Sequence, residues 1–156
     1  MPMPSPTTVF LVDAFRDEGE MYAEYLAACG FNVRLLDGPT AALETAINMV
    51  PDVIVTRIRH PNDTMDGITF IRRLREHEAT RDIAAIVITT SIWEHDREGA
   101  MQAGCDAYVL LPYLPEELVR DVRRVLRTRA LARIKPKAAG VHPRDNRHRR
   151  WTSERQ

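Results

Sequence analysis

Pro51-Asp52-Val53-Ile54-Val55-Thr56-Arg57 is the stretch on which the reading of this chain turns. Proline and aspartate punctuate, and three consecutive β-branched residues follow with no polar residue between them. That run predicts a strand buried on both faces, as in the middle of a parallel sheet. The strand then runs into Thr56 and Arg57, where the chain leaves the apolar layer.

Working outward, the same grammar repeats. Val9-Phe10-Leu11-Val12 is a second doubly buried strand, ending at Asp13 and Ala14. Glu18 to Cys29 has helical spacing, with Met21, Tyr22, Tyr25, Leu26 and Cys29 on one face and Gly30 placed as a helix-ending glycine. Phe31 to Leu35 alternates, as expected near a sheet edge, and Thr40 to Met49 is helical. Beyond Arg57, a polar loop leads to a helix from Gly67 to His77 with Ile68, Ile71 and Leu74 inward. Ile83 to Ile88 is a strongly apolar strand ending in Thr89-Thr90-Ser91, Ile92 to Ala103 is helical up to Gly104, and Tyr108 to Leu111 is the fifth strand. Pro115-Glu116-Glu117 opens the last helix, since proline suits its first turn and acids suit its dipole. Leu118, Val119, Val122, Val125 and Leu126 face the core, with Arg120, Arg123, Arg124 and Arg127 outward.

Five strands alternating with five helices predict an α/β, three-layer, doubly wound parallel sheet. The working site of such a sheet lies at the carboxyl ends of its strands. Residues 1–7 read as an N-terminal extension, 8–134 as the domain and 135–156 as a basic tail without a folding pattern. Of 22 basic and 22 acidic residues, nine and two fall within 128–156, so a body of about −7 carries a tail of about +7. The body has no lysine, because Lys135 and Lys137 are the only two in the chain.

Several classes are excluded. No run approaches the ~18 apolar residues of a membrane span, and the start has neither region of a signal peptide. A cytoplasmic location is therefore expected. Cys29 and Cys105 read as buried free thiols, and the scattered histidines with no CxxC predict no metal site. The chain has no GxSxG, P-loop or GxGxxG, and Ser91 with His95 is only an i, i+4 pair, so no catalysis and no cofactor are expected. The first strand-to-helix loop is acidic and bulky where a nucleotide phosphate wants glycine and bare N–H groups.

In order and spacing, several segments resemble the receiver domain of bacterial two-component response regulators over roughly residues 7–128. These are Val12-Asp13, Pro51-Asp52-Val53-Ile54-Val55, Met65-Asp66-Gly67, Thr80-Arg81-Asp82-Ile83, Ala103-Gly104-Cys105-Asp106-Ala107-Tyr108 and Pro112-Tyr113. The resemblance implies a flavodoxin-like sheet of strand order 2-1-3-4-5. It also implies a phosphorylation site with an aspartate after the third strand, two acids after the first that hold Mg²⁺, a lysine after the fifth, a switch hydroxyl and a switch aromatic.

Residue by residue, only part of that site is present. Asp13 matches the first acid, but Ala14 stands at the second, Arg57 at the phospho-acceptor and Leu111 at the lysine. Thr89 matches the switch hydroxyl, Tyr108 the switch aromatic and Pro112 the proline that follows a cis peptide bond in the family. A guanidinium is no nucleophile and repels a metal ion. The expectation is a receiver that acts by phosphorylation-independent protein–protein interaction, with Arg57 and Asp13 forming a bidentate pair. The loop from Ile58 to Thr64 runs about two residues longer than the family's usual turn. Its Asp63 lacks the lysine and second acid of a displaced acceptor.

The partner face implied by the family is the fourth helix, fifth strand and fifth helix. Trp93, Arg97, Tyr113, Arg120, Arg123, Arg124 and Arg127 are its candidates here for a signalling partner or a homodimer. The alternative reading is an adaptor that binds nucleic acid or an acidic partner through Arg147-His148-Arg149-Arg150-Trp151.

Overall fold

The computed structural model describes residues 4–134 together with Arg144 and Asp145. Its elements alternate throughout: β1 (Thr8–Val12), α1 (Arg16–Ala28), β2 (Asn32–Leu36), α2 (Pro39–Asn48), β3 (Val53–Arg57), α3 (Gly67–Glu76), β4 (Ala84–Thr89), α4 (Glu94–Ala103), β5 (Ala107–Leu110) and α5 (Pro115–Ile134). A two-residue β6 (Arg144–Asp145) follows. Strand order is β2-β1-β3-β4-β5-β6, every pairing is parallel, and the first five strands take the 2-1-3-4-5 order expected.

β3 lies in the middle of the five, and Val53, Ile54, Val55 and Thr56 are all fully buried. Alternate residues serve opposite faces. Val53 and Val55 pack with Val9, Leu11, Ile86 and Val109 against Tyr22 and Leu26 of α1 and Leu118, Val122 and Val125 of α5. Ile54 packs with Phe10 and Val12 against Ala42 and Ala46 of α2 and Phe70 and Leu74 of α3. Ala85, Val87 and Tyr108 meet Ile71 of α3 and Ala100 and Ala103 of α4. Both layers exclude water from the sheet, which is why the central strands carry no polar alternation.

Local signals close the elements. Asp66 caps α3 by accepting the Thr69 N–H at 2.7 Å. Gly30 and Gly104, which end the first and fourth helices, both have positive φ, at 97° and 105°.

Several expectations need correction. Met21, assigned to the inner face of α1, is exposed, while Gly19, Tyr22 and Leu26 are the buried positions of that helix. The helix turns through about 100° per residue, so Met21 points away from its neighbour Tyr22. Cys29 is half-buried and only Cys105 is fully buried; both thiols are free. α4 begins at Glu94, which leaves Ile92 and Trp93 in an exposed loop. Tyr113, placed on the exposed partner face by the sequence, is instead buried. Its ring lies 6.0 Å from that of Tyr22, whose hydroxyl donates to the Tyr113 carbonyl at 2.9 Å. Apolar area under α1 outweighs exposure for this aromatic.

The segment Arg147 to Trp151, proposed to bind nucleic acid or an acidic partner, lies wholly outside the described residues; of the basic tail beyond Ile134, only Arg144 and Asp145 are described. These two pair in parallel with Ala107 and Tyr108, within a stretch whose composition predicts no strand. Among the described residues, no helix is long and apolar enough to cross a membrane.

Candidate functional site

β1 and β3 end side by side, with Val12 in register with Thr56. Asp13, just beyond β1, and Arg57, the last residue of β3 and paired with Ile88, therefore stand together at the carboxyl end of the sheet. The Asp13 side chain is fully buried and that of Arg57 is 12% exposed. Asp13 Oδ1 accepts the Phe15 N–H at 2.8 Å, which folds the loop back on itself, while Oδ2 is buried with no hydrogen bond. Burial pushes the Asp13 carboxyl above the ordinary value. The Phe15 N–H and the Arg57 charge pull it back only in part, and Glu18 opposes them.

Arg57 does not make the bidentate contact with Asp13 that the sequence suggested. Its Nη1 donates to Glu18 Oε2 at 3.0 Å and stands 3.9 Å from Asp13 Oδ2. Glu18 is the third residue of α1, so the first helical turn carries its carboxylate to Arg57 at the carboxyl end of β3. The guanidinium carbon also lies 4.7 Å from the centre of the Phe15 ring, a cation–π distance. Neither Glu18 nor Phe15 was singled out from sequence. The one signal available was an acid in the first turn of the helix that follows a strand-end aspartate.

The Arg57 backbone is held as firmly as its side chain. Its carbonyl lies 2.9 Å from both Thr56 Oγ1 and His60 Nε2. A Cβ on Gly67 would overlap that same carbonyl, and the Gly67 N–H donates to the Ile58 carbonyl at 2.7 Å. Only glycine lets α3 start this close to the end of β3. His60 is buried and its Nδ1 has no hydrogen bond. Burial pushes its pKa below the ordinary histidine value, more than the Arg57 carbonyl and nearby acids raise it.

Asp63 is fully engaged. Its carboxylate accepts the Thr40 hydroxyl at 2.6 Å, the Thr40 N–H at 3.1 Å and the Met65 N–H at 2.9 Å. It thus caps α2, whose own N-cap residue, Gly38, has no side chain. Burial raises the Asp63 pKa, but these hydrogen bonds outweigh it and hold the carboxyl below the ordinary value.

On the far side, Thr89 ends β4 and its hydroxyl accepts the Ser91 N–H at 3.1 Å. Tyr108 is fully buried, and its hydroxyl reaches the Ser91 carbonyl at 3.4 Å. Ser91 Oγ donates to Asp96 at 2.5 Å, and Asp96 accepts Arg59 Nη2 at 3.0 Å. A polar chain thus runs from the loop after β3 to the ring on β5. Leu111 follows β5 and packs at the edge of the α1/α5 core, and the Leu111–Pro112 peptide is cis.

The arginines expected to form one row divide. Arg123 lies 5.8 Å over the Phe31 ring, on the α1 side of α5, whereas Arg124 pairs at 2.8 Å with the buried Asp121. Arg97 pairs with Glu94 within α4, and Trp93 is exposed and stacked on His95.

Five parallel strands with this order, and polar groups gathered at their carboxyl ends, define a receiver-type α/β domain. The chain belongs to the response regulator receiver domain family, whose model matches residues 9–123. It is 30% identical over 125 residues to the response regulator Rre1 of Synechocystis sp., covering 80% of this chain and 53% of that protein. It is also 30% identical over 120 residues to the phosphate regulon transcriptional regulatory protein PhoB of Pseudomonas aeruginosa, covering 77% of this chain and 52% of that protein. The chain thus spans about half the length of the curated relatives it matches. Among solved structures, it is similar to the receiver domain of sensor histidine kinase PA1611 from P. aeruginosa, which has a magnesium ion in its active-site cleft. That match has a TM-score of 0.72 and 26% identity, over 79% of this chain and 99% of the other.

Proposed function

We propose that this receiver domain signals by contact with a protein partner and takes up no phosphoryl group. The observation that carries this reading is Arg57, a nearly buried cation held by Glu18 where a receiver would present its acceptor. Guanidinium has no free electron pair with which to attack phosphorus. The residues present do not fit the magnesium ion of the family either. Ala14 offers no side-chain oxygen, and Arg57 Nη1 stands 3.9 Å from Asp13, the one acid kept at the two family positions, where it would oppose a second cation. Leu111 is spent in apolar packing and offers no cation to a phosphoryl oxygen.

The inward Tyr108, bound to Ser91, supports a single conformation held by side chains of the chain itself. The exposed Trp93 and the neighbouring α4–β5–α5 side offer the contact, whether to a signalling protein or to a second copy. Incubation with Mg²⁺ and acetyl phosphate, read by intact mass, tests the proposal. The expected result is no gain of one phosphoryl group by the native chain, with a gain by an Ala14→Asp, Arg57→Asp, Leu111→Lys triple variant. Phosphorylation of the native chain overturns it.

A further inference from the structure

Beyond that reading, we propose that the cleft between Phe15 and Trp93 binds a small carboxylate with an apolar body. The cleft has a volume of about 470 Å³, within the range of small-molecule sites. Phe15, Pro61, Ile92 and Trp93 give it apolar walls, and the only charged residues lining it are Arg57 and Arg59. Phe15, Ile92 and Trp93 are 48%, 65% and 62% exposed, so three large apolar side chains stand in water around one opening.

The polar groups converge on an anion. Arg57 uses only Nη1 for its acids, and its Nε and Nη2 make no hydrogen bond among the described residues. Arg59 pairs with Asp96 through Nη2 alone. The Thr89 hydroxyl accepts from Ser91 and keeps its own proton to donate. The acids that balance the two guanidiniums (Asp13, Glu18 and Asp96) do not line the cleft; they fix the arginines from behind. A carboxylate would thus gain charge-assisted hydrogen bonds from a pre-placed fork, and its apolar body would cover Phe15 and Trp93. The cleft on the α2 side is the opposite case, because Asp37, Glu44 and Asp63 line it and repel anions.

The test uses the full chain carrying Trp151→Phe, so that Trp93 is its only tryptophan. Its fluorescence is followed during titration with phenylacetate, phenylacetamide and inorganic phosphate. Phenylacetate should saturate, with a dissociation constant on the order of 1 mM for so small a ligand. The neutral amide and phosphate should each bind at least tenfold more weakly. The Arg57→Met variant, if folded by circular dichroism, should lose at least tenfold. The comparison of acid with amide needs no site variant and decides the matter alone if Arg57→Met fails to fold. Absence of saturation by phenylacetate, equal binding of the amide or of phosphate, or unchanged binding by a folded Arg57→Met variant each overturn the proposal.

Discussion

Arg57 gives its hydrogen bond to Glu18 at 3.0 Å and only approaches Asp13, at 3.9 Å. The two acids play different parts. Glu18 is partly in water, so its pair is worth no more than about 1 kcal/mol. Asp13 is buried with Oδ2 unbonded, and the neighbouring guanidinium is the nearest compensation for its charge. Arg57→Met should therefore cost about 1–3 kcal/mol at neutral pH, clearly more than Glu18→Gln. Adding Asp13→Asn to Arg57→Met should recover most of the loss. Urea midpoints of the four proteins check this, and equal losses for the two single variants would count against it.

The architecture was legible because each apolar run in the sequence has one physical outcome. Val53-Ile54-Val55 has no polar alternation, so it had to be a central strand, and it is. The polar contacts of the site were less legible, because they join residues far apart in sequence. Arg57 to Glu18 spans 39 positions, and Arg59 to Asp96 spans 37. A sequence shows that Asp13 and Arg57 stand at the ends of adjacent strands, but not how far a first helical turn carries Glu18 toward them. Tyr113 was misplaced for a related reason, since whether an aromatic beyond β5 turns outward or under α1 depends on room beside Tyr22.

The cap on α2 is such a long-range device. Gly38 leaves space for the Asp63 carboxylate, and a Cβ there would overlap it. Asp63→Ala should cost about 1 kcal/mol, as the loss of a helix cap does. Gly38→Ala should also destabilise, because the added methyl displaces Asp63 from Thr40. In the Asp63→Ala background the same change should be nearly free. Thermal unfolding of the single and double variants measures this coupling, and additive losses would show that the two residues act separately.

At the opposite end of the sheet, Arg75 performs a structural task. Its guanidinium donates to the carbonyls of Gly104, Arg81 and Ile83 and lies 3.3 Å from Asp106, which also accepts Arg129. Burial first, then the nearby Arg129, lowers its pKa to about 10, so it remains charged at neutral pH. Lysine is a point charge that cannot reproduce the planar fork. Arg75→Lys should lose about 2–3 kcal/mol by leaving buried carbonyls unpaired. A chemical denaturation curve superimposing on that of the native chain would refute this role.

His60 supplies the pH dependence of this region. Burial holds its folded pKa below the ordinary 6.5, so the unfolded chain binds the proton first as pH falls. The neutral ring's contribution is fully present above that ordinary value and is lost as pH drops through and below it. Asp13 acts in the other sense. Its raised pKa makes the folded chain hold a proton longer, so stability declines as pH rises from the ordinary 3.8. The His60→Gln variant should therefore lose less stability than the native chain between neutral and mildly acidic pH. Parallel denaturation curves across that range read the difference, and identical slopes would remove His60 from the account.

The chain Arg59–Asp96–Ser91–Tyr108 makes the most specific claim about conformation. Asp96 is nearly buried, yet it sits in the first turn of α4 and accepts both Arg59 and Ser91. Ser91 in turn presents its carbonyl to the Tyr108 hydroxyl. Asp96→Ala removes the acceptor that holds the Ser91 side chain, and the loop between β4 and α4 then loses its tie to the loop after β3. Tyr108 should gain mobility, since its hydroxyl loses a fixed partner while its ring stays flanked by Ala85 and Val87. Arg59→Ala should produce a weaker version, because Arg59 is 66% exposed and its pair is screened. Ring resonances of tyrosine-labelled protein test the order of effects: Asp96→Ala should shift or broaden the Tyr108 signal more than Arg59→Ala. A Tyr108 signal unmoved by Asp96→Ala would mean that the polar chain does not hold the ring inward and is incidental.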